Sequence, residues 1–317
     1  MKVGVIGTGV MGENHVRVFS SMIHDCQFIG VYDRDAHRRN EVAKTYHCQA
    51  FSSIEALLKE VDCVSIAVPT RFHYEVGLTC IEHGVHFLME KPITNTVKEA
   101  ADLIKRAKEK NVMIQVGHIE LFNPTIQILQ TILSREDIIS IDVHRMGPFQ
   151  ERNLQVDVVQ DLMIHDMYIL NHLLQDEVDT FYAMGKKFDG TTKHAVVISK
   201  YKRGTLAQLT ASFKTEEKVR TIHVTTNEAY IQADLLDRKI LITRSTNFSH
   251  EKDVKYKQQN IVEKIMIPDK EPLKMQFHDF LTSVREKRPP TVSGEDGLNI
   301  LKITNQISDY IRAQYDQ

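Results

Sequence analysis

The sequence predicts an α/β protein in two parts. Residues 1–120 read as an N-terminal domain of βαβ units on a mostly parallel sheet, and residues 121–317 as an α+β domain on a mostly antiparallel sheet. Two observations carry this. Short β-rich runs alternate with helical segments through the first part, and after Pro124 the strands follow one another directly.

In the first part the β-rich runs are Val3–Ile6, Phe28–Tyr32, Cys63–Val68, His86–Met89 and Val112–Val116. The segments between them have the helical period and the length of roughly 10–15 residues expected of crossover helices. The runs are continuously apolar, as strands covered on both faces must be. In the second part a helix is expected over about 124–134, a strand over Ile138–Arg145 and an apolar helix around 160–170. Strands follow at about 177–187, 194–202, 205–213, 219–225, 229–233 and 239–245. Arg203-Gly204 and Asn227-Glu228 read as hairpin turns, which makes the pairing mostly antiparallel. Two helices, about 271–287 and 294–315, close the chain around Arg288-Pro289-Pro290, and the last of them is a candidate to pack back on the first domain.

Composition excludes several classes. The 40 Lys and Arg residues and 42 Asp and Glu residues are interspersed, so no basic stripe awaits nucleic acid. Apolar runs such as Val64–Val68 are too short to cross a bilayer. With a strand already begun at Lys2, no cleavable signal is expected. Cys26, Cys48, Cys63 and Cys80 form no CxxC pair and read as reduced thiols of a cytoplasmic protein. The 15 histidines are scattered, with no HExxH and no Cys/His cluster, so no metal site is expected.

"VGVIGTGVMGENHVRVF" sets Gly7-x-Gly9-x-x-Gly12 after a strand and at the start of a helix. There Gly7 makes the tight turn, Gly9 admits a pyrophosphate close to the backbone, and Gly12 lets helix and strand pack closely. Thr8, Val10 and Met11 complete the loop at a helix N-terminus suited to phosphate. Asp33 ends the second strand, where a carboxylate would accept hydrogen bonds from an adenosine ribose. That favours NAD. NADP stays open, because Arg34 follows and suits either adenine stacking or a 2′-phosphate.

Ligands of an open α/β sheet bind beyond the carboxyl ends of its strands. Val68, Thr70 and His73 stand at or after one such end, Glu90-Lys91-Pro92 at the next. These are expected to line the cofactor site, and Lys91 is suited to stabilise a developing alkoxide. The bland reading is a solvated Glu–Lys turn that a proline closes. Lys91–Pro92 is a candidate for a cis bond. In "QDLMIHDMYIL", Asp161 and His165 are one helical turn apart amid apolar residues. The bland reading here is a carboxylate favoured by the helix dipole and a satisfied core histidine.

The N-terminal GxGxxG, Glu90-Lys91-Pro92, "VGHIELFNP" and the Asp161-x-x-x-His165 helix together resemble the glucose–fructose oxidoreductase/inositol dehydrogenase/MocA (Gfo/Idh/MocA) family along nearly the whole chain. "VGHIELFNP" and "RMGPF…DLMIHD" are most similar to the branch that includes UDP-N-acetylglucosamine dehydrogenases acting at the sugar C3 hydroxyl. The resemblance implies a Rossmann domain and a second domain on a large open sheet, through which a homodimer or homotetramer forms. It implies hydride exchange between NAD(P) and a sugar or cyclitol hydroxyl, with Lys91, Asp161 and His165 facing the nicotinamide. Four positions depart from the family pattern: Leu121 for arginine, Thr70 for asparagine, Asp157 for glycine and Tyr168 for aspartate. Leu121 and Asp157 would border the substrate pocket, so the departures bear on the sugar and not on the chemistry.

The expected division of labour follows. His165, with an ordinary pKa near neutrality, serves as base in oxidation and acid in reduction. Lys91 stabilises the alkoxide-like oxygen, and Asp161 orients the hydroxyl or His165. His118, Asn123 and Arg152 are candidates for sugar or phosphate contacts, or equally plain loop residues. No function is assigned to His144, His194 or His223. The favoured reading is an NAD(P)-dependent sugar or nucleotide-sugar dehydrogenase. Its rivals are an enzyme for a cyclitol, dihydrodiol, carbonyl or imine, and a non-catalytic nucleotide-binding regulator.

Overall fold

The computed structural model describes residues 1–245 and 260–315. The chain divides into two compact units, Met1–Ile119 with Glu271–Lys302, and Glu120–Lys270 with Ile303–Gln317. Residues 271–302, read from sequence as part of the second domain, thus return to the first unit.

The first unit is a six-stranded sheet of β1 (Lys2–Ile6), β2 (Gln27–Tyr32), β3 (Gln49–Ala50), β4 (Cys63–Ile66), β5 (His86–Glu90) and β6 (Ile114–Gly117). Its order is β3-β2-β1-β4-β5-β6, with every pairing parallel. The order reverses between β1 and β4, and this switch point opens a crevice at the carboxyl ends of the strands. The connecting helices are α1 (Val10–Ser21), α2 (Ala36–Thr45), α3 (Ile54–Leu58), α4 (His73–Glu82) and α5 (Val97–Glu109). Local chemistry starts most of them. Asp35 caps α2 by accepting from His37 and Arg38 amides, and Thr96 with Glu99 forms a capping box on α5. The N-terminus of α1 differs: Gly9 stands at its cap and no side chain closes it.

Later in the chain, α8 (Pro272–Glu286) packs onto α1, with Phe277 stacked on Phe19 at 3.9 Å between ring centroids. Val3, Val5, Val31, Leu88 and Phe280 share that core.

The second unit begins with α6 (Pro124–Leu133), β7 (Ile138–Met146) and α7 (Ile164–Leu174). Strands β8 (Val178–Phe188), β9 (Thr191–Tyr201), β10 (Leu206–Ser212), β11 (Val219–Thr226), β12 (Ala229–Asp234), β13 (Lys239–Ser245) and β14 (Asn260–Met266) follow. The sheet runs β14-β13-β12-β11-β7-β10-β9-β8, antiparallel except where β10 lies parallel to β7. Gly204 at φ +99° turns β9 into β10, as Arg203-Gly204 suggests. The sequence reading misses β14, an edge strand whose side chains are almost all exposed and so lack a clean alternation. Along β7, Ile141, Val143 and Arg145 are buried in alternation. The last helix is α9 (Gly294–Ala313).

Before α7 the backbone makes a π-helical turn over Val159–Met163. The expected single helix around 160–170 is therefore two segments, with Asp161 in the widened turn and His165 in α7. Such turns insert a residue and re-aim side chains, and they concentrate at functional sites.

Replacing the fully buried Phe277 with alanine removes the ring that joins α8 to α1. We expect a loss of about 3–5 kcal/mol, read from urea unfolding; an unchanged midpoint would exclude this packing.

Candidate active site

The glycine loop has the geometry its spacing implies. Gly7 sits at φ +93°, and a Cβ there would come within 2.7 Å of the Ala67 carbonyl oxygen. A Cβ on Gly12 would lie 1.9 Å from the Gly7 carbonyl oxygen, so no side chain fits between α1 and the end of β1. A Cβ on Gly9 would meet nothing within 4 Å. Space is open at the one loop position where a phosphate has to approach the backbone.

A cavity of about 540 Å³ lies at this point, lined by Gly7, Gly9, Val10, Met11, Asp33, Arg34 and Val68 of the expected set, with Tyr32, Pro69 and Phe72. Its size, its apolar walls and the open amides of α1 fit a dinucleotide. Val10 is 82 % exposed, as a residue at an open helix N-terminus facing a ligand would be.

Thr8 does not line the cavity. Buried, it donates from its amide (2.6 Å) and hydroxyl (3.1 Å) to one Asp33 oxygen, while the Asp35 amide donates to the other at 2.9 Å. Asp33 is thereby fixed at the cavity edge. Arg34 and Arg71 flank the Phe72 ring at 5.4 and 4.9 Å. Thr70 begins a short 3₁₀ turn, Thr70–Phe72, beside the cavity lining.

Around Lys91 the structure adds what sequence did not show. The Lys91–Pro92 bond is cis. The Glu90 carboxylate turns inward, with Oε1 3.1 Å from Nε2 of His15, a fully buried residue of α1. His15 Nδ1 lies 2.8 Å from the Ser65 hydroxyl. His73, expected at the cofactor, is instead buried with its ring nitrogens 2.9 Å from the carbonyl oxygens of Pro92 and Val68. Both nitrogens face protein carbonyls, so its part is to hold the turn. Burial draws its pKa down, and the carbonyls work against that. His118 is buried as well. Burial, reinforced by the Lys91 charge, lowers its pKa to about 3 and keeps the ring neutral near pH 7.

In the second unit Asp161 and His165 are each partly exposed. The adjacent Asp166 is buried and accepts from Arg145 Nε at 2.6 Å, while Arg145 Nη1 donates to Glu120 at 2.6 Å. This ion triad ties the first turn of α7 to β7. Burial works against the Arg145 charge, but the two carboxylates outweigh it and its pKa is raised. Burial would likewise raise Glu120, yet Arg145 leaves it lowered. Asp166 lies deeper, and there burial prevails, raising it to about 6.

The structure also gives local tasks to other residues singled out in the sequence. Asn123 caps α6 by accepting from the Thr125 amide at 3.0 Å, a structural task. Leu121 and Tyr168 are core side chains, 2 % and 4 % exposed, so Leu121 does not border an open pocket. Asp157 accepts from the Val159 amide and starts the π turn. The Arg152 side chain lies outside the described residues.

A family model for an oxidoreductase family with an NAD-binding Rossmann fold matches residues 1–118, and one for the GFO/IDH/MocA C-terminal domain matches residues 139–232. The chain belongs to the Gfo/Idh/MocA oxidoreductase family. Within it, a UDP-N-acetylglucosamine 3-dehydrogenase of Acidithiobacillus ferrooxidans is 31 % identical, across 99 % of this chain and 98 % of its own. The solved structure of that protein superposes with a TM-score of 0.91 at the same coverage. An inositol 2-dehydrogenase of Mycolicibacterium smegmatis is 29 % identical across 58 % of this chain and 56 % of its own. A levoglucosan dehydrogenase solved with NADH shares the Gfo/Idh/MocA fold, with a TM-score of 0.84 at 15 % identity, over 99 % of this chain and 97 % of its own.

Because His118 is held neutral, the unfolded chain binds one more proton below its ordinary pKa of 6.5. Its contribution to stability is full above pH 6.5 and falls as the pH drops toward 3, by about 2 kcal/mol at pH 5. We expect His118→Gln to flatten the loss of stability between pH 7 and 5 in urea titrations; an identical slope would overturn this assignment.

Proposed function

We propose that the chain oxidises a secondary hydroxyl of a nucleotide-sugar, of the UDP-N-acetylamino sugar class, or reduces the corresponding ketone, with NAD as the preferred cofactor. The observation that carries the reading is the 31 % identity to the Acidithiobacillus dehydrogenase along nearly the whole chain. Lys91, Asp161 and His165 support it, since a pure nucleotide binder has no use for them.

NAD, when bound, takes up the hydride. His165 accepts the hydroxyl proton as the carbonyl forms and returns it in the reverse direction. Lys91 stabilises the oxygen while it carries negative charge. Asp161 orients the hydroxyl or the His165 ring. Asp33, held by Thr8 and Asp35, supports the choice of NAD, because a 2′-phosphate would meet its carboxylate. The inositol dehydrogenase matches favour a cyclitol as the second reading, over little more than half the chain.

Two finer points belong to the same reading. Tyr182, Met184 and Ile198 are 69, 65 and 50 % exposed on the second unit's sheet, apolar surface suited to a second copy of the chain. The four free cysteines, with Cys26 and Cys48 pushed up to about 11 by burial, suit a reducing compartment such as the cytoplasm.

A screen of UDP-N-acetylglucosamine, free sugars and myo-inositol with NAD, followed by NADH absorbance, tests the substrate. We expect the UDP-sugar to give the highest kcat/KM; turnover of inositol alone would transfer the reading to cyclitols, and turnover of none would overturn it. Lys91→Ala and His165→Asn should each lower kcat by about 10²–10⁴-fold with NADH affinity nearly intact. A variant that keeps full turnover removes that residue from the mechanism. A lower Km for NADP than for NAD, with equal or greater kcat, would reverse the cofactor choice.

A further inference from the structure

Lys91 sits between two residues that each lie against a buried histidine. On one side is Glu90, whose carboxylate lies 3.1 Å from His15 Nε2. That approach is close but not aligned as a hydrogen bond, and the ring's hydrogen bond is the one between Nδ1 and the Ser65 hydroxyl at 2.8 Å. Phe277 closes over the ring edge-on at 5.0 Å. Gly117 on β6 leaves room for the carboxylate, since a Cβ there would come within 2.9 Å of Glu90 Oε1. On the other side is Pro92, whose carbonyl lies 2.9 Å from His73 Nδ1, while Nε2 of the same ring reaches Val68 on the cavity wall.

We propose that His15 and His73 are positioning residues that brace the Glu90-Lys91-Pro92 turn from both sides and so set the direction of the Lys91 ammonium. His15 ties the turn to the phosphate-binding helix and to β4. His73 ties it to the strand end that walls the nucleotide cavity. Both histidines are buried, and neither lines the nucleotide cavity. Their effect passes through Lys91, so the inference rests on the role given to Lys91 above. A general base or an oxyanion stabiliser misplaced by about 1 Å can cost on the order of 10²-fold in rate without weakening binding.

The test compares His15→Leu, His15→Gln, His73→Leu and His73→Gln with the unaltered chain and with Lys91→Ala. Turnover is measured with UDP-N-acetylglucosamine and NAD, affinity by NADH fluorescence, and folding by thermal unfolding. The rate of reductive methylation of Lys91, read by mass spectrometry, reports on the turn without any need for turnover. We expect both leucine variants to lower kcat about 10–100-fold, with KM and NADH Kd changed less than about threefold. The Lys91 methylation rate should shift severalfold in each. His15→Gln, which keeps a polar group between Ser65 and Glu90, should recover much of the loss. Should a leucine variant fail to fold, the glutamine variant and the methylation rate at that position decide. Leucine variants with full turnover and an unchanged methylation rate, beside an inactive Lys91→Ala, would sink the bracing role alone. Equal losses of kcat and NADH affinity would reduce it to general damage of the nucleotide unit. A fully active Lys91→Ala would instead refute the role of Lys91, leaving the methylation rates to judge the bracing.

Discussion

The approach of Gly12 to the Gly7 carbonyl governs the first unit. No side chain fits in that gap, so α1 starts hard against the end of β1. Two consequences follow along the same helix. Its first-turn amides, uncapped by any side chain, open onto the cavity at the switch point of the sheet. One turn further, His15 is carried under β4 and β5, within reach of Ser65 and Glu90. The glycine spacing that admits a pyrophosphate therefore also sets the support beneath the Lys91 turn. Nucleotide binding and the proposed chemistry share one structural origin.

The second unit meets a comparable demand by other means. The segment that carries Asp161 and His165 is a π turn running into α7, a short and otherwise apolar stretch. Apolar packing fixes depth well but orientation poorly. Arg145, bonded to Asp166 and Glu120, adds direction by fastening the residue next to His165 to a central strand. Breaking such a buried group costs about 3–5 kcal/mol, although an apolar replacement of the whole triad can be just as stable. Its retention is better explained by the orientation it imposes than by stability.

Much of this was legible in the sequence, and the remainder has a common cause. Strands of the first unit show as apolar runs because both faces are covered, and the GxGxxG spacing reports a backbone need that only glycine meets. The positions of Lys91 and Asp33 follow from the strand ends. What sequence did not show are pairings between distant residues: His15 with Glu90, His73 with Pro92, Arg145 with Asp166. Periodicity tells which face of an element is buried, and it is silent on the polar group that awaits there. A histidine on the inner face of α1 was the one available signal for His15. The π turn escaped because Asp161 and His165 fit an α-helical spacing equally well. Strand β14 escaped because an exposed edge has no apolar face to alternate. Residues 271–287 were read with the second domain because a helix does not name its partner, and Phe277 finds Phe19 only in three dimensions.

Buried polarity separates the residues that fix the chemistry from those that leave it free to vary. Ser65, His15 and His73 each lie in the interior, where leucine-like side chains would avoid the cost of desolvating polar atoms. Ser65 pairs with His15, and the two histidines reach Glu90, Pro92 and Val68 at the two strand ends that flank the nucleotide cavity. Leu121 and Tyr168, by contrast, stand as core side chains where the family pattern is polar. Polar groups kept in the interior behind the lysine need a reason beyond stability, and the orientation of the Lys91 turn supplies one.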